Sequence, residues 1–349
     1  MTALHRSTIF LLSIVATLLL AAAGYTWWWT HLASQARTDL AKWATERTAL
    51  GWSVETGDIT IHGFPWSLRL TLAAPALTDA HGAHWQGPPL TVTLAPYQPN
   101  ELHVEFAGHH VFALGGMEPL EIALGGAEAD MVVHNKGLST LTLEVDDIQV
   151  PGAELARFTG TLKRATSKTV NHTATSWTVE TEINDLALSE QTRTVLGDMV
   201  KSAQLKAHVM GSIIAAPFPG NIAAWRDEGG LIEVDDFSFS MPPLSLHGKG
   251  TLALDRDMQP VFSSVCTVRG ILESLDTLVR AGNVPPQDAA IARIVLGLMT
   301  KPGKDGVPEL SVPVSLQDRQ LYVGTVPLAA TPALTWPEIA AKAAPVSKP

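Results

Sequence analysis

The chain has 349 residues, enough for one large domain or two ordinary ones, and its 46% hydrophobic against 17% charged residues supply a sizeable core, which excludes global disorder. A formal net charge of −10 without a compact basic patch excludes nucleic acid as a partner class and gives anionic headgroups little to attract. Cys266, the single cysteine, has no partner for an internal disulfide and reads as a small buried apolar residue in a strand-like run.

Residues 1–8 form a short N-terminal segment carrying Arg6. Residues 9–29 then run from Ile9 to Trp29 without a charge. As a helix, that run spans roughly 30 Å at about 1.5 Å per residue, the thickness of a bilayer core. Arg6 and the amino terminus precede it, which places residues 1–8 on the cytoplasmic side. Tyr25, Trp27, Trp28 and Trp29 close it as an aromatic belt at the outer interface. The competing reading is a signal peptide cleaved near Ala21-Ala22-Ala23; both readings send the remainder across the membrane.

Residues 30–50 read as a juxtamembrane helix, with Leu32, Ala36, Leu40, Trp43 and Leu50 at roughly helical spacing between Arg37, Lys42, Glu46 and Arg47. Gly51 is the expected stop. From there the period becomes two. Leu68, Leu70 and Leu72 alternate with polar residues, as do Leu90, Val92 and Leu94, then Leu102, Val104 and Phe106. The pattern returns at Leu141, Leu143 and Val145, at Trp177, Val179 and Ile183, at Phe237, Phe239 and Met241, and at Leu310, Val312, Val314 and Leu316. Strands with one wet and one apolar face follow, gathered in a β-rich domain over residues 51–326. Gly115-Gly116 and Gly125-Gly126 are expected as hairpin turns flanking Leu120 to Leu124. Helices are expected at Glu190–Lys206, Asn221–Asp227, Ile271–Ala281 and Gln287–Thr300. Residues 327–349, rich in Ala and Pro, are expected to be a disordered tail.

A weak repeat links Asp146-Asp147-Ile148, Pro151 and Gly160-Thr161-Leu162 with Asp235-Asp236-Phe237, Pro243 and Gly250-Thr251-Leu252. In both, an acidic pair opens a strand; chance likeness between amphipathic hairpins explains the match equally well. The fold class expected is mainly β with a few helices: an N-terminal transmembrane helix, then an extended, curled antiparallel sheet or a sandwich of repeated hairpins.

Several pieces occur together: the anchor, Gly63-Phe64-Pro65, Pro75-Ala76-Leu77, His84-Trp85-Gln86, Pro96-Tyr97-Gln98-Pro99-Asn100, Gly250 to Asp255 and Leu321-Tyr322-Val323-Gly324. The chain resembles, over residues 10 to 330, the bacterial family known as domain of unknown function 2125. Its motifs are turns and strands, and the resemblance implies no activity. The hairpin style is also similar to AsmA-like envelope proteins, which implies a curled sheet with an apolar inner face and a role in lipid traffic or envelope maintenance. The chain is shorter than typical AsmA-like proteins, too short to bridge a periplasm alone.

The sequence offers little chemistry. His81 and His84, with Asp79 nearby, and His109-His110 lack the third and fourth converging ligands a metal needs, so no metal or cofactor is expected. No nucleophile elbow or phosphate-binding loop occurs. Asp146-Asp147 and Asp235-Asp236 are neighbours in strands, pointing to opposite faces, so they do not converge on one substrate. No catalytic residue is assigned and the protein is expected not to be an enzyme. His62-Gly63-Phe64-Pro65-Trp66 is the most distinctive motif: its aromatic pair either caps an apolar groove or plugs the core.

Apolar strand faces cost about 25 cal/mol per Å² left in water. The few helices cover only part of such a sheet, leaving a second sheet or a lipid-like ligand to cover the rest. The function expected is therefore a membrane-anchored periplasmic protein of the bacterial inner membrane that handles lipid in an apolar β-groove or supports envelope assembly. Phe64, Trp66, Leu68 and Leu70 are the candidate ligand-binding residues. A scaffold of the envelope without a ligand is the alternative. The partners implied are the bilayer through residues 9–29, a lipid ligand and other envelope proteins.

Overall fold

The computed structural model describes residues 2–80, 82–113, 118–134, 137–169, 172–190, 193–211, 220–334 and 336. The chain divides into two compact units, residues 1–137 and 138–349. Both are antiparallel β-meanders rather than sandwiches, and the mainly-β class with an N-terminal apolar helix holds.

The first unit opens with α1 (Thr2–Ala49), one uninterrupted helix that joins the expected anchor to the expected juxtamembrane helix. Phe10–Ala49 contains, among the described residues, the one helical stretch long and apolar enough to cross a membrane. The chain reverses at residues 50–52, where Arg47 lies over the rings of Trp43 and Trp52 at 6.0 and 5.7 Å.

Nine strands follow: β1 (Ser53–Glu55), β2 (Ile59–His62), β3 (Leu68–Leu72), β4 (Ala76–Thr78), β5 (His84–Gln86), β6 (Leu90–Ala95), β7 (Gln98–Glu105), β8 (Gly108–Ala113) and β9 (Leu120–His134). Their pairing shows five long strands, four of them interrupted. β1 and β2 both lie along β4 and β3, which lie along β5 and β6, which lie along β8 and β7, both paired to β9. The interruptions, at residues 56–58, 73–75, 87–89 and 106–107, line up across the sheet as a crease. Backbone bonds from Ala73 to Asp58, Gly87 to Pro75 and Phe106 to Ala127 hold it together. Strands approach closely there: a Cβ on Gly57 would stand 2.7 Å from the Ala74 nitrogen, and one on Gly108 2.8 Å from Pro88. Gly125-Gly126 continues the crease inside β9 and makes no hairpin turn, a correction to the sequence reading. Gly115-Gly116 lies outside the described residues.

Strand alternation puts Ile59 and Ile61, Leu68 and Leu70, and Leu94 on one face. Trp29, Leu32, Ala33, Ala36 and Leu40, one stripe of α1, cover that face, and Leu68 and Leu70 are buried beneath it.

The second unit runs through β10 (Gly137–Val150), β11 (Ala153–Thr169), β12 (His172–Leu188), β13 (Met199–Met210), α2 (Gly220–Asp227), β14 (Leu231–Met241), β15 (Leu244–Leu254), β16 (Pro260–Arg269), α3 (Ile271–Arg280), α4 (Pro286–Met299), β17 (Lys301–Pro302), β18 (Pro308–Gln317), β19 (Gln320–Val323) and β20 (Val326–Ala330). Each strand pairs with the next, except that β16 pairs with β18 across the helical excursion.

Among the described residues the helix expected at Glu190–Lys206 does not form, and its second half lies in β13. Ala203, Leu205, Ala207 and Val209 alternate with Gln204, Lys206 and His208, and both edges of the strand are taken by β12 and β14. Two ladders outweigh local helix propensity. The other three expected helices form. The boundary set at 327 also shifts: β20 pairs with β19, Leu334 exchanges bonds of 2.8 and 3.0 Å with Gln259, and the Trp336 indole donates to the Met258 carbonyl at 2.9 Å. Residues 337–349 of the expected tail lie outside the described residues.

One apolar row, Leu143–Gly160–Thr181–Leu205–Phe237–Gly248–Cys266–Val312, crosses eight strands, and its neighbouring rows repeat the character. Trp225 of α2 is buried, its indole donating to the Met210 carbonyl at 2.7 Å. At the other end Leu296 of α4 packs on Cys266, Leu310 and Val312.

Candidate functional site

No cluster of three or more His, Cys, Asp or Glu side chains able to hold a metal occurs among the described residues. His84 spends its Nδ1 on the Thr78 hydroxyl at 2.9 Å, and His81 lies outside the described residues. His110 is buried, accepting from the Trp85 indole at Nδ1 (3.3 Å) and donating from Nε2 to the Phe106 carbonyl (2.9 Å), while His109 is exposed.

The acidic pairs do not open strands as expected. They sit within β10 and β14 at irregularities: Asp147 has a φ of 51°, and the β14–β15 register shifts between Val234 and Phe237. Their carboxylates turn to different partners, Asp146 to Arg157 at 2.7 Å and Asp235 to His208 at 3.0 Å. Beside them Lys206 meets Glu180 at 2.9 Å, which lowers the Glu180 pKa and raises that of Lys206, in each case chiefly through the hydrogen bond. Exposed pairs of this kind keep the wet face soluble and add little stability.

The most developed assembly lies at one end of the first unit, where the hairpins β2–β3 and β6–β7 turn. Three aromatic residues from the belt of α1 reach them. The Tyr25 hydroxyl donates to the Pro65 carbonyl, the Trp29 indole to Ser67 at 2.9 Å, and the Trp28 indole to Pro96 at 3.1 Å. Phe64 lies edge-on to Trp29, with ring centroids 5.6 Å apart. The belt residues are thus also the fasteners between helix and sheet. Next to them, Trp66, Thr93, Leu94, Leu102, His103 and Met131 line an open cleft of about 400 Å³. His103 carries the electrostatics of its rim. Its Nδ1 meets Asp130 at 2.9 Å, with Glu105 and Glu128 each 3.8 Å from Nε2, and the hydrogen bond to Asp130 is the main reason its pKa is raised.

The four candidate ligand residues divide. Leu68 and Leu70 are buried under α1. Phe64 is half-exposed against Trp29, and Trp66, 84% exposed, borders the cleft. Sequence reasoning missed Leu94, Leu102 and Met131, because only strand register brings them to the cleft that Trp66 borders, and it missed Pro96 as the acceptor of the Trp28 indole; the Pro-Tyr-Gln-Pro spacing marked the turn without its neighbour.

In the second unit, Val209, Ile222, Trp225, Ile232, Leu252 and Leu254 border a cavity of about 200 Å³ whose lining is wholly apolar. Such a space suits hydrocarbon and no charged group.

Comparison with known proteins finds one family, described as "Uncharacterized protein conserved in bacteria (DUF2125)", matching residues 29–332. No curated protein and no solved structure matches the chain.

Proposed function

The chain belongs to the DUF2125 family of bacterial proteins, and from that premise we propose that it is a non-enzymatic, single-pass protein of the inner membrane whose β-rich body stands in the periplasm and handles lipid on its apolar sheet faces. The observation that carries this reading is the continuity of α1. Its first half is exposed and apolar, and its second half is bolted to the sheet of the first unit, so that unit is held at the bilayer surface without a flexible linker. Arg6 ahead of the span and the aromatic belt behind it support an N-in orientation. The cleft beside Trp66 and the apolar cavity under Trp225 support a hydrocarbon ligand.

Mass spectrometry of organic extracts from the purified full-length protein tests the lipid reading. A lipid retained at a reproducible molar ratio through detergent exchange supports it; repeated extracts at the level of a detergent-only control overturn it. Protease digestion of the β body in spheroplasts but not in inverted vesicles tests the orientation.

One observation favours the scaffold alternative. Ile291, Ile294, Val295, Leu298 and Met299 form an apolar stripe on α4 that stays exposed, Leu298 at 83%. Crosslinking from Leu298 to another envelope protein, with no lipid retained, selects that reading.

A further inference from the structure

We propose that the two hairpin tips of the first unit, carrying Trp66 and Tyr97, are seated in the outer headgroup layer of the bilayer that α1 crosses, so that the sheet rests on the lipid surface at both tips as well as on its helix. The proposal rests on the anchored reading above and adds a lipid contact that the anchor alone does not require.

Chain geometry carries it. From Trp29 to Ala49 the helix climbs about 30 Å at 1.5 Å per residue. The chain then reverses, and Ser53 to His62, two strands joined by residues 56–58, descends about 30 Å at 3.3 Å per extended residue. The β2–β3 tip therefore returns to the level of Trp29, and strand pairing sets the β6–β7 tip beside it. The hydrogen bonds of Tyr25, Trp28 and Trp29 fix both tips at the height of the aromatic belt.

That height lies inside the bilayer. No Asp, Glu, Lys or Arg occurs between Arg6 and Arg37, a helical length of about 45 Å, close to the full thickness of a membrane with its headgroups. Trp29 stands about 12 Å below Arg37 on the same helix. The tips have the matching chemistry: Gly63 to Ser67 and Ala95 to Pro99 contain no charged residue. Trp66 and Tyr97 are 84% and 79% exposed, and a ring with a polar edge is the side chain that prefers the headgroup layer.

The test places a nitroxide at Trp66→Cys or Tyr97→Cys in the full chain with Cys266→Ala, reconstituted in phosphatidylethanolamine–phosphatidylglycerol vesicles. Reference labels go at Leu18→Cys within the span and Glu121→Cys in the half of β9 beyond the crease. Collision with oxygen relative to a water-soluble nickel chelate reports depth. The expected ratio at 66 and 97 is several-fold above that at 121 and below that at 18. Ratios at 66 and 97 equal to that at 121, with 18 still in hydrocarbon, overturn the seating alone, as does protein-specific protection of these labels without a rise in oxygen access. A label at 18 that sits in water overturns the anchored reading and the seating with it.

Discussion

Single residues show where the fold has no slack. Gly270, between β16 and α3, has a φ of 72°, and a Cβ there would fall 1.8 Å from the Pro243 carbonyl oxygen. Gly270→Ala is expected to lose at least the roughly 1–3 kcal/mol of a strained backbone, with the overlap in addition. Gly297 in α4 is the counter-case, with open space around it inside a helix, and Gly297→Ala is expected to gain about 0.5–1 kcal/mol. Denaturant midpoints by circular dichroism in detergent separate the two. His103 gives the pH dependence. Its pKa is raised above the ordinary 6.5, so its pairing with Asp130, Glu105 and Glu128 contributes fully below 6.5 and is lost as pH rises through the raised value. Asp130→Asn removes the largest cause, and a proton NMR titration of the His103 ring is expected to move down toward 6.5.

At the scale of elements, burial decides what the turn at 62–67 does. Leu68 is 1% exposed under Ala33 and its neighbours, so Leu68→Ala is expected to cost about 2–5 kcal/mol. Trp66→Ala, at the exposed tip, is expected to stay within about 0.5 kcal/mol in detergent. Equal losses from the two changes would mean that Trp66 is a core residue. The strand pattern was legible because alternation such as Leu68, Leu70, Leu72 records burial directly, and α1 was legible from its uncharged run. β13 was not, because Val195, Met199 and Ala203 recur at helical spacing while Ala203 and Leu205 alternate as in a strand, and only the neighbours on both edges decide. The crease was hidden for a related reason. Gly57, Pro75, Pro88 and Gly125 each signal a turn locally, and become one line only when register sets them side by side. The candidate site was half legible: the Phe64-Pro65-Trp66 turn stands out, but its cleft neighbours Leu94, Leu102 and Met131 depend on a sheet not written in either segment.

Over the whole molecule, α1 has two unlike halves. Its first half is apolar on every side, as a lipid-facing helix must be, and its second half is apolar along one stripe, as a helix on a sheet must be. The first unit thus borrows its core from the second half of a helix whose first half is long and apolar enough to cross a membrane, whereas the second draws cover from α2, α3 and α4. A chain beginning at residue 27 keeps Trp29, Leu32, Ala33, Ala36 and Leu40 over Leu68 and Leu70, and one beginning at residue 51 exposes that face. Each large side chain uncovered costs about 1.5–3 kcal/mol, enough in sum to remove the stability of a small unit. Amide exchange is expected to show β2, β3 and β6 protected in the chain from 27 and unprotected in the chain from 51. The strands β11 to β16 are expected to stay protected in both, since each is paired within the second unit and, among the described residues, none before 51 packs on the Cys266–Leu310–Val312 cluster. Loss of protection in both units on cutting at 51 would show that they fold as one, and the helix would then be a core element of the entire body.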